Sequence, residues 1–133
     1  MHYSNKDTIK HNNKCMILVI DDEEILHDIL NLVLDKIGYH PLTALNGTQG
    51  LILYKKHQEN IKLVLLDILM PGMSGIETYA RLCAINPQVK VLFMSGISDT
   101  KLFLDFRNNN YGIYIKKPFS LEEIKVKIEQ MIA

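Results

Sequence analysis

From Cys15 onward the chain alternates short apolar runs with longer stretches in which apolar residues recur at helical spacing, and turn residues separate the two. The runs predict strands over residues 16–20, 40–44, 63–66, 89–94 and 112–115. Leu63-Val64-Leu65-Leu66 shows no alternation with polar residues, as befits a strand covered on both faces. Between the first two strands Ile25, Ile29, Val33 and Ile37 recur every fourth residue, with Leu26, Leu30 and Leu34 beside them. That stripe predicts an amphipathic helix packed by these positions and stopped by Gly38. A second helix is expected over 47–57. A third, over 75–85, ends before Asn86-Pro87, because the residue preceding proline disfavours helical geometry. A fourth covers 101–106 and gives way to Asn108-Asn109-Asn110. The last opens with Ser120-Leu121-Glu122-Glu123, a capping box, and Leu121, Ile124, Ile128, Met131 and Ile132 form its expected buried face.

Strand and helix alternate five times, which predicts an α/β domain with a doubly wound five-stranded parallel sheet and helices on both faces. The expected domain spans residues 15–133. Residues 1–14, rich in His, Asn and Lys and lacking the apolar stretch of a signal peptide, are expected to form a flexible N-terminal arm.

A chain of 133 residues, 47% hydrophobic, buries enough surface to fold without a disulfide or a structural metal. Cys15 and Cys83 form no close-spaced ligand pattern and are read as reduced thiols of a cytoplasmic protein. Fifteen basic side chains balance fifteen acidic ones, so the basic excess that nucleic acid or a membrane surface demands is lacking. No apolar run approaches the roughly 18 residues of a membrane helix.

In doubly wound sheets ligands bind beyond the carboxyl ends of the strands, where the strand order reverses. The first strand runs into Asp21-Asp22, the third into Asp67, the fourth into Ser95-Gly96 and the fifth into Lys116-Lys117-Pro118. Parallel strands bring these groups to one edge. Carboxylates so placed raise one another's pKa unless a cation joins them. Magnesium suits the set, since it accepts two carboxylates, a carbonyl and several waters and leaves room for a phosphate oxygen. A carboxylate beside magnesium and a lysine is poised to attack phosphorus and form an aspartyl phosphate. Singly, each element has a plainer role: acidic residues after a strand form turns or cap helices, Ser95-Gly96 makes a turn, and Lys117 is a solvated lysine. The conjunction on one edge, in this order, points to chemistry. His27, His40 and His57 lie in different elements with no carboxylate pattern and are read as surface histidines. Cys83 is expected to pack in the third helix as a small apolar residue, and Met70 and Met73 to serve as loop and packing residues.

Four segments together resemble the receiver domain of bacterial two-component response regulators, the flavodoxin-like family typified by the chemotaxis regulator CheY. They are Ile17-Leu18-Val19-Ile20-Asp21-Asp22-Glu23, Leu65-Leu66-Asp67-Ile68-Leu69-Met70-Pro71-Gly72-Met73-Ser74-Gly75, Val91-Leu92-Phe93-Met94-Ser95-Gly96 and Tyr114-Ile115-Lys116-Lys117-Pro118-Phe119. The resemblance implies that Asp67 is the phosphoacceptor. It implies that Asp22 binds Mg2+ directly and Asp21 largely through water, with the backbone carbonyl of Leu69 completing the protein's share of the shell. Lys117 would pair with the phosphoryl group, Ser95 would donate its hydroxyl to it, and Tyr114 holds the position of the switch aromatic. The bond before Pro118 is expected to be cis. The implied partners are a sensor histidine kinase or histidine phosphotransfer protein upstream and a protein or output domain downstream; dimerisation through the face from the fourth to the fifth helix is a further family property. Such a module catalyses its own phosphorylation and dephosphorylation but turns over no separate substrate.

Two departures and two alternatives accompany the resemblance. Many members have Gly-Ala where this chain has Asn110-Tyr111, which implies an altered fourth helix and following loop. Leu69 and Ile97, two residues past Asp67 and Ser95, are apolar and cannot hold an attacking water, which implies slow hydrolysis of the aspartyl phosphate. A magnesium-dependent phosphohydrolase of the haloacid-dehalogenase kind also uses an Asp nucleophile at a strand end, but usually has a second Asp two residues on, where this chain has Leu69. A pseudo-receiver that works without phosphorylation tends to lose some of Asp21, Asp22, Asp67, Ser95 and Lys117, all present here.

Overall fold

In the computed structural model, which describes residues 15–96, 100–108 and 112–133, five strands and five helices alternate. They are β1 (Met16–Ile20), α1 (Glu24–Lys36), β2 (His40–Ala44), α2 (Gly47–His57), β3 (Ile61–Asp67), α3 (Gly75–Ile85), β4 (Val91–Ser95), α4 (Thr100–Asn108), β5 (Ile113–Lys116) and α5 (Leu121–Ile132). The expected N-terminal arm, Ile97 and the Asn110-Tyr111 departure lie outside the described residues. All strand pairs are parallel, in the order β2-β1-β3-β4-β5. The chain steps from β1 to β2 on one side and then crosses to β3 on the other, so the reversal falls between β1 and β3.

The sheet divides the core, as β1 shows. Met16, Leu18 and Ile20 of β1 pack on one side with Tyr54 of α2, Leu82 of α3 and Phe106 of α4. Ile17 and Val19 pack on the other with Leu30, Val33 and Leu34 of α1 and Ile124 and Ile128 of α5. Successive side chains of a strand point to opposite faces, so an unbroken apolar strand is what a sheet covered by three helices on one side and two on the other requires.

Element edges differ from the periodicity in instructive ways. β3 begins at Ile61 rather than Leu63 because Ile61 pairs with Met16 across a register shift. It also extends through Asp67, which pairs with Met94 of β4. β4 starts at Val91 rather than Val89, since Val89 N–H closes a turn onto the Asn86 carbonyl at 3.0 Å. β5 is displaced by one residue, and α4 runs from Thr100 through Asn108 rather than from 101 to 106. α2 and α3 occupy the expected ranges.

The larger correction concerns which side of α1 is buried. His27, Leu30, Val33 and Leu34 face the core, whereas Ile25 and Ile29, half of the expected stripe, are 76% and 39% exposed. Leucine and isoleucine stripes lie on this helix with the same period, so periodicity alone cannot choose between them. α1 ends at the Ile37 cap, and Gly38 follows with φ +92°, the left-handed conformation that a glycine past a helix end permits. In α5 the capping box forms: Ser120 Oγ accepts from Glu123 N–H at 3.0 Å, and Glu123 Oε1 accepts from Ser120 N–H at 2.8 Å. Leu121, expected inside, is 55% exposed, while Ile124 and Ile128 are buried.

The helix face is directly testable by urea denaturation. Leu30→Ala removes a fully buried side chain and is expected to cost about 2–5 kcal/mol. Ile25→Ser changes an exposed position and is expected to alter stability by less than about 0.5 kcal/mol.

Candidate functional site

Ile20 of β1 pairs with Leu66 of β3, so Asp21 and Asp67, each one residue further on, emerge side by side at the carboxyl edge of the sheet. Asp22 follows Asp21. Carboxylate oxygens of Asp21, Asp22 and Asp67 all lie within 4.8 Å of one another. Asp21 and Asp67 are buried, at 0% and 5% exposure, and Asp22 faces solvent. Two strands away, Lys116 pairs with Ser95, and Lys117 N–H donates to the Ser95 carbonyl at 2.6 Å. The Lys117–Pro118 bond is cis, as the resemblance implies.

Lys117 reaches back across this edge. Its Nζ donates to Asp21 Oδ2 at 2.7 Å and to Glu23 Oε1 at 2.8 Å, and stands 3.6 Å from Asp67 Oδ2. Asp21 is held at every polar atom. Its N–H donates to the Ala44 carbonyl at 3.1 Å, its Oδ1 accepts from Glu23 N–H at 2.9 Å, and its carbonyl accepts from His27 Nε2 at 2.7 Å.

Burial pushes the Asp67 carboxyl up to about 7, and the charge of Asp21 and, less strongly, of Asp22 adds to the rise; Lys117 and the backbone N–H of Leu69, which hydrogen-bonds this carboxylate, act against it. Burial by itself would lower the Lys117 ammonium. Its hydrogen bonds to Asp21 and Glu23 and the charges of Asp67 and Asp21 outweigh that and hold it above the ordinary lysine value. One ammonium therefore stands against three carboxylates, Asp21, Glu23 and Asp67, with Asp22 close by, and burial together with this crowding raises the proton affinity of Asp67. A hard cation with oxygen ligands would relieve the crowding, so the three aspartates fit a divalent ion.

The other expected site residues surround this centre. Ser95 is 2% exposed at the end of β4, and its hydroxyl donates to the Gly96 carbonyl at a long 3.4 Å. Leu69 turns its side chain outward, at 51% exposure. Tyr114, half buried on β5, meets Phe106 of α4 edge to face at 5.9 Å. Phe106 in turn stands 4.7 Å from Phe93 of β4, and Phe93 5.1 Å from Tyr79 of α3.

Two residues here were not singled out from the sequence, and a third, His27, was placed differently. Glu23, within the quoted Asp-Asp-Glu segment, is the second carboxylate on Lys117. Gly75 opens α3 so close to β3 that a Cβ there would collide with the carbonyl of Asp67. Its N–H donates to the Ile68 carbonyl at 2.8 Å, tying α3 to the residue after the acidic group. His27, expected at the surface, is 5% exposed, because it lies on the leucine side of α1. His40 and His57 are half buried. Cys83 is partly buried and shares a hydrogen bond with Tyr79. Beside Lys117 and Glu23, an open groove of about 780 Å³ is lined by Ile25, Leu26, Ile29, Phe119 and Leu121.

The raised proton affinity of Asp67 sets a pH dependence. A carboxyl that ionises near 3.8 when unfolded and near 7 when folded favours the folded state while protonated there. That contribution is complete below the unfolded value and is lost as pH rises through the folded one. In chelator, the stability of the parent protein relative to Asp67→Asn is therefore expected to fall from about pH 4 to about pH 7 and to level off above. Thermal midpoints of the two proteins across this range check it, and parallel curves would contradict the shift.

Comparison with known proteins agrees with this geometry. The profile of the response regulator receiver domain matches residues 17–129. Sporulation initiation phosphotransferase F of Bacillus subtilis is 31% identical over 116 residues, covering 87% of this chain and 92% of the relative. The response regulator receiver protein CpdR of Brucella abortus is 33% identical, with 87% and 95% covered. Of some longer transcriptional regulators that it also matches, the chain spans only about half. A receiver domain protein from Clostridium thermocellum superposes with a TM-score of 0.80 at 27% identity, covering 89% of this chain and 94% of that one. A doubly wound sheet with its acidic cluster at the reversal point, matched by profile, sequence and structure over most of its length, places this chain in the receiver domain family of two-component response regulators.

Proposed function

We propose that residues 15–133 act as a phosphoacceptor unit in which Asp67 takes a phosphoryl group from a phosphohistidine on a sensor kinase or phosphotransfer protein. The observation that carries this is the meeting of Asp21, Asp22 and Asp67 within 4.8 Å, with the Lys117 ammonium 3.6 Å from Asp67. A carboxylate oxygen of Asp67 attacks phosphorus, the N–P bond breaks, and the departing imidazole nitrogen takes up a proton. The product is an acyl phosphate on Asp67.

Mg2+ is the cofactor that fits: Asp22, Asp67 and the backbone carbonyl of Leu69 would hold it directly and Asp21 largely through water, and it would supply positive charge to neutralise the transferring group. Lys117 supplies the second positive charge. Its bond to Glu23 is exposed on the glutamate side and therefore weak, so the ammonium turns to the phosphoryl oxygens at small cost. The Ser95 hydroxyl, held among the described residues by a long hydrogen bond, does the same. A donor protein has to rest on the rim of this pocket, and the groove with Ile25, Ile29 and Leu121 supplies apolar contact area there.

Phosphorylation replaces one negative charge on Asp67 by nearly two and adds strong acceptor oxygens. Drawing Ser95 inward changes the end of β4. Tyr114 is paired with Phe93 of that strand in the sheet and linked to it again through the ring of Phe106, so the α4-β5-α5 face shifts with it. A downstream partner or output domain that prefers one shape of this face, or a second copy of the chain, then reads the phosphorylation state. The domain catalyses its own modification and turns over no separate substrate. With Leu69 unable to hold an attacking water, the acyl phosphate is long-lived.

Intact mass after incubation with Mg2+ and a small-molecule acyl phosphate donor tests the reading. One phosphoryl adduct is expected, lost in Asp67→Asn and lost in chelator; an adduct that survives either change would place the chemistry elsewhere. In Leu69→Asn the adduct is expected to decay several-fold faster, and unchanged or slower decay would remove Leu69 from the control of its lifetime.

A further inference from the structure

Helix α1 enters the core without a side-chain cap. Its N-cap residue Glu23 makes no capping hydrogen bond through its side chain, and that carboxylate is engaged with Lys117 instead. The helix is tied to the strand end by another route. His27, one turn in and 5% exposed, places Nε2 2.7 Å from the main-chain oxygen of Asp21. A carbonyl oxygen can only accept, so Nε2 carries the proton.

Packing alone does not account for a histidine here. Among the described residues, His27 Nδ1 is buried with no hydrogen-bond partner, and so is Oδ1 of Asn31, one helical turn further on. A leucine, such as Leu30 and Leu34 on the same face, would fill the space without leaving a polar atom unpaired. What leucine cannot supply is the donor. Asp21 lies just past the end of β1, where no ladder bond reaches its carbonyl, and a buried carbonyl needs a partner.

We infer that His27 is a positioning residue for the metal site, orienting the acidic pair through the peptide that joins Asp21 to Asp22. Its hydrogen bond fixes the plane of that peptide, which also contains the Cα of Asp22. On the other side, the N–H of Asp21 is fixed by Ala44. Asp22 is exposed, and its carboxylate makes no hydrogen bond to another described residue. Its direction toward Asp21 and Asp67 therefore depends on its backbone, and His27 holds that backbone. Partners outside the immediate ligand set tune metal sites in this way, and their loss weakens binding about 10–100-fold.

The inference rests on the reading of Asp21, Asp22 and Asp67 as a Mg2+ site, and the test separates the two. Mg2+ affinity is measured by NMR titration of backbone amides in the parent protein, His27→Leu and His27→Gln, alongside thermal midpoints in chelator. His27→Leu is expected to bind Mg2+ about tenfold or more weakly, while its metal-free midpoint, lowered by the Asp21 carbonyl left without its donor, still leaves it folded at the titration temperature. His27→Gln, which restores an N–H donor of similar reach, is expected to recover most of the affinity. Equal affinity in parent and His27→Leu would overturn the inference alone, as would a glutamine variant as weak as the leucine one. A parent protein that binds no Mg2+ would overturn the metal reading and this inference with it. In the unsubstituted protein, histidine side-chain 15N spectra are expected to show a proton on Nε2 of His27 shielded from exchange, and an unprotonated Nε2 would overturn the assignment without any variant.

Discussion

Two buried carboxylates stand side by side because two parallel strands do. The pairing of β1 with β3 carries Asp21 and Asp67 to the same height at the sheet edge, and neither can retreat into solvent, since both lie within the strand ends or just past them. Their mutual repulsion, added to burial, is the constraint to which the rest of the edge answers. Lys117 comes from beyond β5, two strands from β3, to stand between them. Asp21 is hydrogen-bonded at both carboxylate oxygens, whereas Asp67 receives a backbone N–H from Leu69 and only a distant ammonium. Asp67 is thus the less satisfied of the two, and the one that gains most from an added positive charge.

This arrangement sets stability against chemistry. A buried carboxyl with its proton affinity raised by its neighbours costs folding free energy when ionised, and the apolar sheet has to offset it. Every β1 residue is buried, and the two cores meet at that strand. The close seat of α3 on β3 at Gly75 belongs to the same compromise, since it lets the segment after Asp67 fold back tightly while its backbone N–H groups remain near the carboxylate.

How much of this was legible in the chain depends on what kind of signal each part leaves. The strands, the parallel sheet and the edge residues Asp21, Asp22, Asp67, Ser95 and Lys117 all leave local marks: apolar runs ending in polar groups, at spacings that only a parallel sheet converts into proximity. The end of α3 left such a mark in Asn86-Pro87, whose chain-stopping chemistry is local, whereas Asn46 and Ser74, which cap α2 and α3, were not used to place those helices. The phase of α1 left no such mark. Ile25 and Ile29 fit the helical period as well as Leu30 and Leu34 do, and only the position of the helix over the sheet decides which side is covered. The misreadings of His27 as a surface residue and of Leu121 as a core residue have the same origin, because burial on a helix is a tertiary property. Glu23 stood in plain view in the sequence, but its engagement with Lys117 joins residues 94 apart.

The phase of α1 also has a functional side. Turning its leucines inward leaves Ile25 and Ile29 on the rim of the acidic pocket, where Leu121 of α5 is likewise turned out. It also carries His27 under the strand end, within reach of the Asp21 carbonyl. A rotation that buried the isoleucine side would exchange these placements, drawing the apolar rim inward and withdrawing the histidine donor from Asp21. The same helix orientation therefore sets the core, the turn that carries Asp21 and Asp22, and the apolar rim beside Lys117. Its periodicity is ambiguous because apolar residues occupy both sides, one set against the sheet and one on the rim of the acidic pocket.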